Sequence, residues 1–341
     1  MTGVQTCALP IYIVDTFKDL WSDLEVDYTE FVRTTSDEHK KDVQQIFKKI
    51  YDKGDIYKDK YEGYYCTPCE TFWKERELDE DGNCPDCNRP VEWMEEESYF
   101  FKMSKYEDQL LEFLENNPDF IQPDKRRSEM INFIEDGLED LCISRTSFDW
   151  GVPVPIDDDH VVYVWFDALI SYLTGIEYRR NEDKFNDYWP GDVHIVGKDI
   201  LRFHTVIWPA ILMAADLELP DRVFGHGFLL VEGGKMSKSK GNVIDPKKLI
   251  ADFGVDAVRY YLLREIAFGT DGSYSTESFI RRINSDLAND LGNLLNRTVA
   301  MVDKYFDGEI PANKVETEYD ADLEQVAQES FQALEENMED L

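Results

Sequence analysis

Two Cys-x-x-Cys pairs constrain this chain more than any other feature. They are Cys66-Thr-Pro-Cys69 and Cys84-Pro-Asp-Cys87, with fourteen residues between them. Two such turns bring four thiolates to one tetrahedral ion, and their amide N–H groups face sulfur and offset the thiolate charge. Gly82 and Pro85 suit the second tight turn. Four thiolates leave no open coordination position, so the metal expected here, zinc, is structural rather than catalytic. The other two of the six cysteines, Cys7 and Cys142, stand alone. That distribution is unlike a secreted disulfide framework and points to a reducing, cytoplasmic compartment. The first 14 residues lack the basic and apolar regions of a signal peptide.

Charge narrows the partners. Of 341 residues, 36 are Lys or Arg and 71 are Asp or Glu, a net charge of −35. A uniformly basic nucleic-acid surface is excluded, and any RNA contact must come from local clusters of cations. No run of about 18 apolar residues exists, so no membrane partner is expected.

One such cluster is conspicuous. Gly233-Gly-Lys235-Met-Ser237-Lys238-Ser239-Lys240-Gly-Asn242 packs three Lys, two Ser and three Gly into ten residues. Flanking glycines let backbone approach a ligand, and alternating Lys and Ser can neutralise and hydrogen-bond a polyphosphate. A Walker phosphate loop has a different pattern. Elsewhere, helical periodicity marks residues 12–53, with Val43, Ile46, Phe47 and Ile50 on one face and Gly54 as the stop. Residues 58–97 read as short, aromatic and turn-rich, and 105–140 as helix broken at Pro118 and Pro123. Val161–Phe166 reads as a buried strand leading into a helix. His194–Val196 and Arg222–Val231 read as further strands, so strand–helix alternation predicts α/β with a largely parallel sheet. From Asn284 onward the pattern is helical, with Leu287, Leu291, Leu294 and Val302 on one face. Val315–Leu341 has ten acids and no Lys or Arg, and its Leu323, Val326, Phe331, Leu334 and Met338 predict a helix with a core face.

The string Lys-Met-Ser-Lys-Ser-x-Gly-Asn is the signature of class I aminoacyl-tRNA synthetases, and three further stretches resemble the methionyl-tRNA synthetase family. They are Tyr163-Val-Trp-Phe-Asp-Ala-Leu-Ile-Ser-Tyr172, His194-Ile-Val-Gly-Lys-Asp-Ile-Leu-Arg-Phe-His204, and the Cys66–Cys87 knuckle followed by Glu97-Ser-Tyr-Phe-Phe101. The resemblance implies a partial Rossmann-like nucleotide-binding fold with an inserted zinc-binding connective domain, followed by an all-α anticodon-binding domain. The boundaries it suggests are 12–57 and 162–232 for the two parts of the catalytic domain and 58–161 for the insertion. The lysine loop and stem-contact region would occupy 233–283, and the anticodon-binding domain 284–341.

The resemblance also implies site residues. Trp165, Ala168, Leu169, Tyr172, Ile200 and His204 would contact methionine. The spacing of the first four places them on one face of a helix starting near Trp165, and aromatic and apolar walls suit a thioether. Gly197, Asp199, His226, Gly227, Leu229 and Lys238 would bind ATP, with Mg2+ accompanying the nucleotide. Lys235, Ser237, Lys238 and Ser239 would act on the departing pyrophosphate. Asn293 and Arg297, at i and i+4, would contact anticodon bases of tRNA(Met). The expected activity is that of a methionine–tRNA ligase. Leucine, valine and isoleucine enzymes share the lysine loop but carry a large editing insertion, for which the roughly 100 residues between 58 and 161 leave little room. A non-catalytic, zinc-containing RNA-binding piece is the alternative from another class. It is favoured by one departure: the second class I signature, His-Ile-Gly-His or a variant, is absent, so the chain reads as a fragment lacking its first portion and inactive alone. Residues 1–11 carry no charge, read as a non-native segment, and are excluded from the fold expectations.

Overall fold

In the computed structural model, the described residues are 3–67, 71–85, 87–146, 149–231, 234–236, 243–310, 312, 317 and 319–340. The chain divides into two compact units, one of residues 28–226 and one joining 1–27 to 227–341. Helix α1 (Gly3–Asp23) belongs to the latter and runs through most of the uncharged opening segment.

The unit 28–226 starts with α2 (Asp37–Asp52). The Ser36 hydroxyl caps it by accepting from the His39 amide, Asp37 and Glu38 favour its positive N-terminal end, and Val43, Ile46, Phe47 and Ile50 are buried. Gly54 takes φ +78°, which ends the helix as its sequence predicts. There follow β1 (Ile56–Cys66), β2 (Thr71–Trp73) and β3 (Glu92–Phe101), which form an antiparallel sheet with a later strand, β5 (Leu141–Cys142), in the order β2-β1-β3-β5. The segment expected to be short and turn-rich instead holds a long β1–β3 ladder running from Ile56↔Phe101 to Tyr65↔Glu92. Cross-strand aromatic pairs lock it: Tyr57 stacks on Phe100 at 5.7 Å and Tyr64 meets Trp93 edge-on at 5.1 Å.

Helices α3 (Glu107–Asn116) and α4 (Asp124–Glu135) confirm the break at the prolines. A two-residue strand, β4 (Ile121–Gln122), sits in that break and was not expected. After β5 (Leu141–Cys142), the strands β6 (Ser144–Arg145), β7 (Pro153–Val154) and β8 (Asp157–Val162) form an antiparallel sheet. The strand expected at Val161–Phe166 therefore ends at Val162, and helix α5 (Val164–Leu169) begins two residues on. Asp167 in its first turn and the buried Phe166 and Leu169 at i, i+3 favour the helix over continued strand. Next come α6 (Ser171–Gly175), α7 (Glu182–Tyr188) and β9 (His194–Gly197). A 3₁₀ turn at Lys198–Ile200 and a π-turn at Phe203–Ile207 lead into α8 (Trp208–Ala214), and β10 (Val223–His226) ends the unit.

The largely parallel sheet is borne out only locally. Strands β4, β10 and β9 form one parallel three-stranded sheet in that order, with Gly197 opposite His226 at its carboxyl edge. The unit's core, including Phe47, Phe101, Phe120, Phe166 and Trp208, surrounds this sheet.

In the other unit, β11 (Leu229–Val231) pairs antiparallel with β12 (Gly234–Lys235) and parallel with β13 (Gly272–Tyr274). The single strand expected over Arg222–Val231 is thus two strands in two sheets. Gly227 makes the break: a Cβ there would lie 2.1 Å from the Thr270 carbonyl oxygen. Gly227→Ala is therefore expected to cost about 1–3 kcal/mol by overpacking against rigid backbone, read as a lowered thermal midpoint. An unchanged midpoint contradicts this account of the break. Helices α9 (Pro246–Phe253), α10 (Val255–Arg264) and α11 (Thr276–Arg282) supply a small core around Val258, Tyr261 and Phe279. A π-helical stretch at Ile283–Gly292 joins α12 (Asn293–Phe306), and α13 (Asp320–Asp340) is the last element. The helices expected after Asn284 form, but their apolar stripes do not make core. Leu291, Leu294, Leu323, Val326, Phe331, Leu334 and Met338 are all exposed. No described helix is long and apolar enough to cross a membrane.

Candidate active site and thiolate cluster

Beyond the carboxyl edge of β9, three of the six residues expected to line an amino-acid pocket, Trp165, Tyr172 and His204, meet, and Ile200 joins them through its carbonyl oxygen. This edge is where parallel α/β sheets place ligands. The ring of His204, buried in the unit, is held at both nitrogens. Its Nδ1 lies 2.9 Å from the Ile200 carbonyl oxygen, and its Nε2 lies 2.8 Å from the Tyr172 hydroxyl. A carbonyl only accepts, so Nδ1 carries the proton and Nε2 accepts from Tyr172. Burial lowers the pKa of His204, which agrees with this neutral tautomer.

Trp165 stacks on Phe203 at 3.8 Å with the rings nearly parallel, and meets His204 edge-on at 6.3 Å. The far face of Tyr172 stacks on His194 at 4.1 Å, and the indole N–H of Trp208 donates to His194 Nε2 at 3.3 Å. Burial, with the neighbouring His204 adding to it, depresses His194 from 6.5 to about 4. Burial likewise raises the Tyr172 hydroxyl to about 12, so it stays protonated and donates. The result is an aromatic wall of neutral polar groups with no formal charge, suited to a polarisable apolar side chain. Leu169 is buried in the core, and Ala168 is half-buried on the same helix. An apolar cavity of about 360 Å³ borders Tyr172 beside Val32, Gly175 and Ile176.

Phe203, His194 and Trp208 belong to this wall and were not singled out from the sequence. The chain Ile200, His204, Trp208 at successive i+4 steps was the available signal for the last of them.

The nucleotide candidates fall on both units. Gly197 begins the 3₁₀ turn that carries the exposed Asp199, and a Cβ at Gly197 would meet Asp199 Oδ1 at 2.6 Å. His226 is exposed at the end of β10, while Gly227 and Leu229 belong to the other unit. Lys235 closes β12, paired with Leu230. Ser237, Lys238 and Ser239 lie outside the described residues. Asn293 and Arg297 are exposed on α12.

In the knuckle, the sulfurs of Cys66, Cys84 and Cys87 lie within 4.8 Å of one another. Cys66 and Cys87 are 3.5 Å apart, which is no disulfide. Bonds of about 2.3 Å at tetrahedral angles place zinc-bound sulfurs about 3.8 Å apart, so the spacing fits such an ion. Cys69 lies outside the described residues.

The family model described as tRNA synthetases class I (M) matches residues 2–91 and 87–299. Among curated relatives, the methionine–tRNA ligase of Caldanaerobacter subterraneus subsp. tengcongensis is 60% identical over 330 residues, 96% of this chain and 52% of the relative. That of Clostridium tetani is 60% identical over 331 residues, with the same coverage of 96% and 52%. The chain therefore spans about half the length of the curated relatives it matches. A solved Mycobacterium tuberculosis methionyl-tRNA synthetase in complex with methionyl-adenylate superposes with a TM-score of 0.92 at 47% identity, covering 99% of this chain and 67% of that one. The apo form of the same enzyme gives 0.89 at 45% identity, with coverage of 99% and 67%. With its family model matched along most of its length and its fold shared end to end, this chain belongs to the class I methionyl-tRNA synthetases.

Proposed function

We propose that this chain carries the amino-acid-activating machinery of a methionine–tRNA ligase. The observation that carries this reading is the uncharged wall of Trp165, Tyr172 and His204 at the carboxyl edge of the parallel strands. The thioether packs against these rings, while Ile200 and Leu169 complete the apolar lining. Gly197, Asp199 and His226 of one unit, and Gly227 and Leu229 of the other, are the residues assigned to ATP, which arrives with Mg2+. The methionine carboxylate attacks the α-phosphorus, the bond to the β-phosphate bridging oxygen breaks, and pyrophosphate leaves. Lys235, Ser237, Lys238 and Ser239 hold the charge that builds on it. The terminal ribose hydroxyl of tRNA(Met) then takes the methionyl group and AMP departs. Little covalent chemistry falls to the protein, and positioning and charge stabilisation dominate. Residues 58–161 serve as the connective insertion, and 284–341, with Asn293 and Arg297, as the anticodon-reading helices.

ATP–pyrophosphate exchange in a full-length protein carrying this sequence tests the reading. Exchange is expected with methionine and not with leucine, isoleucine or valine. Exchange driven by one of those three in place of methionine overturns it.

The same reading assigns a structural zinc to Cys66, Cys69, Cys84 and Cys87. Elemental analysis is expected to return one zinc per chain, and Cys84→Ser to lower the thermal midpoint without selective loss of methionine binding. Full stability after chelation, or two zincs per chain, counts against the site.

A further inference from the structure

We propose that His39 is a positioning residue which, by gripping Asp167 and Thr174, holds the methionine-binding face of α5 and α6 in register; this rests on the ligase reading above. His39 is wholly buried on α2, 128 residues from Asp167 in sequence. Its Nε2 lies 2.6 Å from Asp167 Oδ1 on α5, and its Nδ1 lies 3.0 Å from Thr174 Oγ1 on α6. The Thr174 hydroxyl donates to Asp42 Oδ2 at 2.9 Å. His39 Nδ1 and the Thr174 hydroxyl are hydrogen-bond partners, with the direction following the ring's tautomer. A carboxylate only accepts, so His39 Nε2–H is donated to Asp167. The ring therefore bridges two helices.

Beyond it, Asp42, also wholly buried, pairs with Arg179 Nε and with Arg180 Nη1 at 3.3 Å. Arg179 also reaches Glu38 at 3.4 Å, and Arg180 donates to the Thr174 carbonyl oxygen at 2.8 Å. None of these side chains is among the described residues with an unpartnered buried polar atom, and a satisfied buried network rigidifies what it touches.

The geometry couples this network to the pocket. Asp167 and Thr174 are i and i+7, so at 3.6 residues per turn they share one side of the α5–α6 path. Trp165, Leu169 and Tyr172 fall on the opposite side, roughly half a turn away. The regular hydrogen bonding pauses between α5 and α6 at Ile170, and the His39 ring spans that pause. A rotation of either short helix would shift Trp165 against Phe203, or Tyr172 against His204. His39 opposes both rotations from behind.

The test is steady-state exchange kinetics in a full-length protein carrying this sequence, with Asp167→Ala, Asp167→Asn and Thr174→Val. A misplacement of about 1 Å can cost on the order of 10²-fold, so Asp167→Ala is expected to raise the methionine KM by about 10- to 100-fold. Asp167→Asn keeps an acceptor oxygen for Nε2–H and is expected to recover most of that loss. Thr174→Val preserves volume and removes only the hydroxyl; it is expected to raise the methionine KM several-fold and still fold. The ATP KM should change by less than about twofold, because no nucleotide candidate is a member of this network. The readout that a mere structural brace would not move is the preference for methionine over norleucine, which differs by a methylene for sulfur. That ratio of kcat/KM is expected to fall about tenfold in Asp167→Ala, since the wall no longer fits the thioether. If the variants lose thermal stability or active fraction while methionine KM and the norleucine ratio stay at wild-type values, the positioning role is overturned. If the unsubstituted protein shows no methionine-dependent exchange, the ligase reading itself fails, and the positioning role with it.

Discussion

Lys238→Ala in a full-length protein carrying this sequence is expected to slow adenylate formation by about 10²–10³, or roughly 3–4 kcal/mol, the usual cost of removing one donor aimed at transition-state charge. Three features motivate this. The chain has a net charge of −35, so a cluster of three lysines in ten residues runs against the global field. Both ends of the loop are anchored: β12 is paired to β11 through Leu230↔Lys235, and α9 starts at Pro246 with the Asp245 side chain accepting from the Lys247 amide. Lys238 is also the second lysine of the signature, between two serines. Charge builds on the β- and γ-phosphates as pyrophosphate departs, and an ammonium placed there acts in the transition state more than in the ground state. Such an interaction lowers kcat and kcat/KM together. Methionine affinity should stay nearly intact, and Lys240→Ala should cost much less. Pre-steady-state adenylate formation on both variants decides the matter. A larger loss for Lys240, or a Lys238→Ala effect confined to methionine binding, contradicts the assignment.

Acid should weaken the aromatic wall in a defined window. His194 is stacked on Tyr172, accepts from the Trp208 indole, and has its pKa depressed from 6.5 to about 4 by burial. The folded protein therefore holds His194 neutral where the unfolded chain would bind a proton. A folded value below the unfolded one means that the stabilisation is fully present above about pH 6.5 and is lost as pH falls toward 4. The displacement is worth about 3 kcal/mol at the low end, within the range that decides whether a domain stays folded. His204 shifts in the same direction and adds to the slope. Denaturant unfolding at a series of pH values is expected to show stability falling between pH 6.5 and 4, with a shallower fall in His194→Gln. An equal slope in that variant assigns the acid sensitivity to other groups.

Much of this was legible because some residues carry their chemistry locally. Helix α2 follows from Val43, Ile46, Phe47 and Ile50, and Gly54 stops it at φ +78°. The cysteine spacing anticipated sulfurs that converge within 4.8 Å. Tyr172, Ile200 and His204 were assigned to one pocket from a family resemblance; the Tyr172 hydroxyl lies against the His204 ring, and Ile200 supplies its carbonyl oxygen to the same ring.

What stayed hidden depends on distant partners. Nothing near Gly227 announces that Thr270 will press against it and split one apparent strand into two. Phe203 and His194 join the wall by stacking across elements, which no local period encodes. Asp167 had no assigned role, because its partner His39 lies on another helix. The stripe on α13 was read as core from periodicity alone, yet amphipathicity states only that a face can be buried, and Phe331 is 66% exposed.

The central claim is that Trp165, Tyr172 and His204 form the methionine site. A crystal structure of the full-length protein with a non-hydrolysable methionyl-adenylate analogue tests it most directly. The thioether is expected among those three rings and the ribose near Gly197 and Asp199. A side chain lodged elsewhere, with those rings contacting only one another, contradicts it.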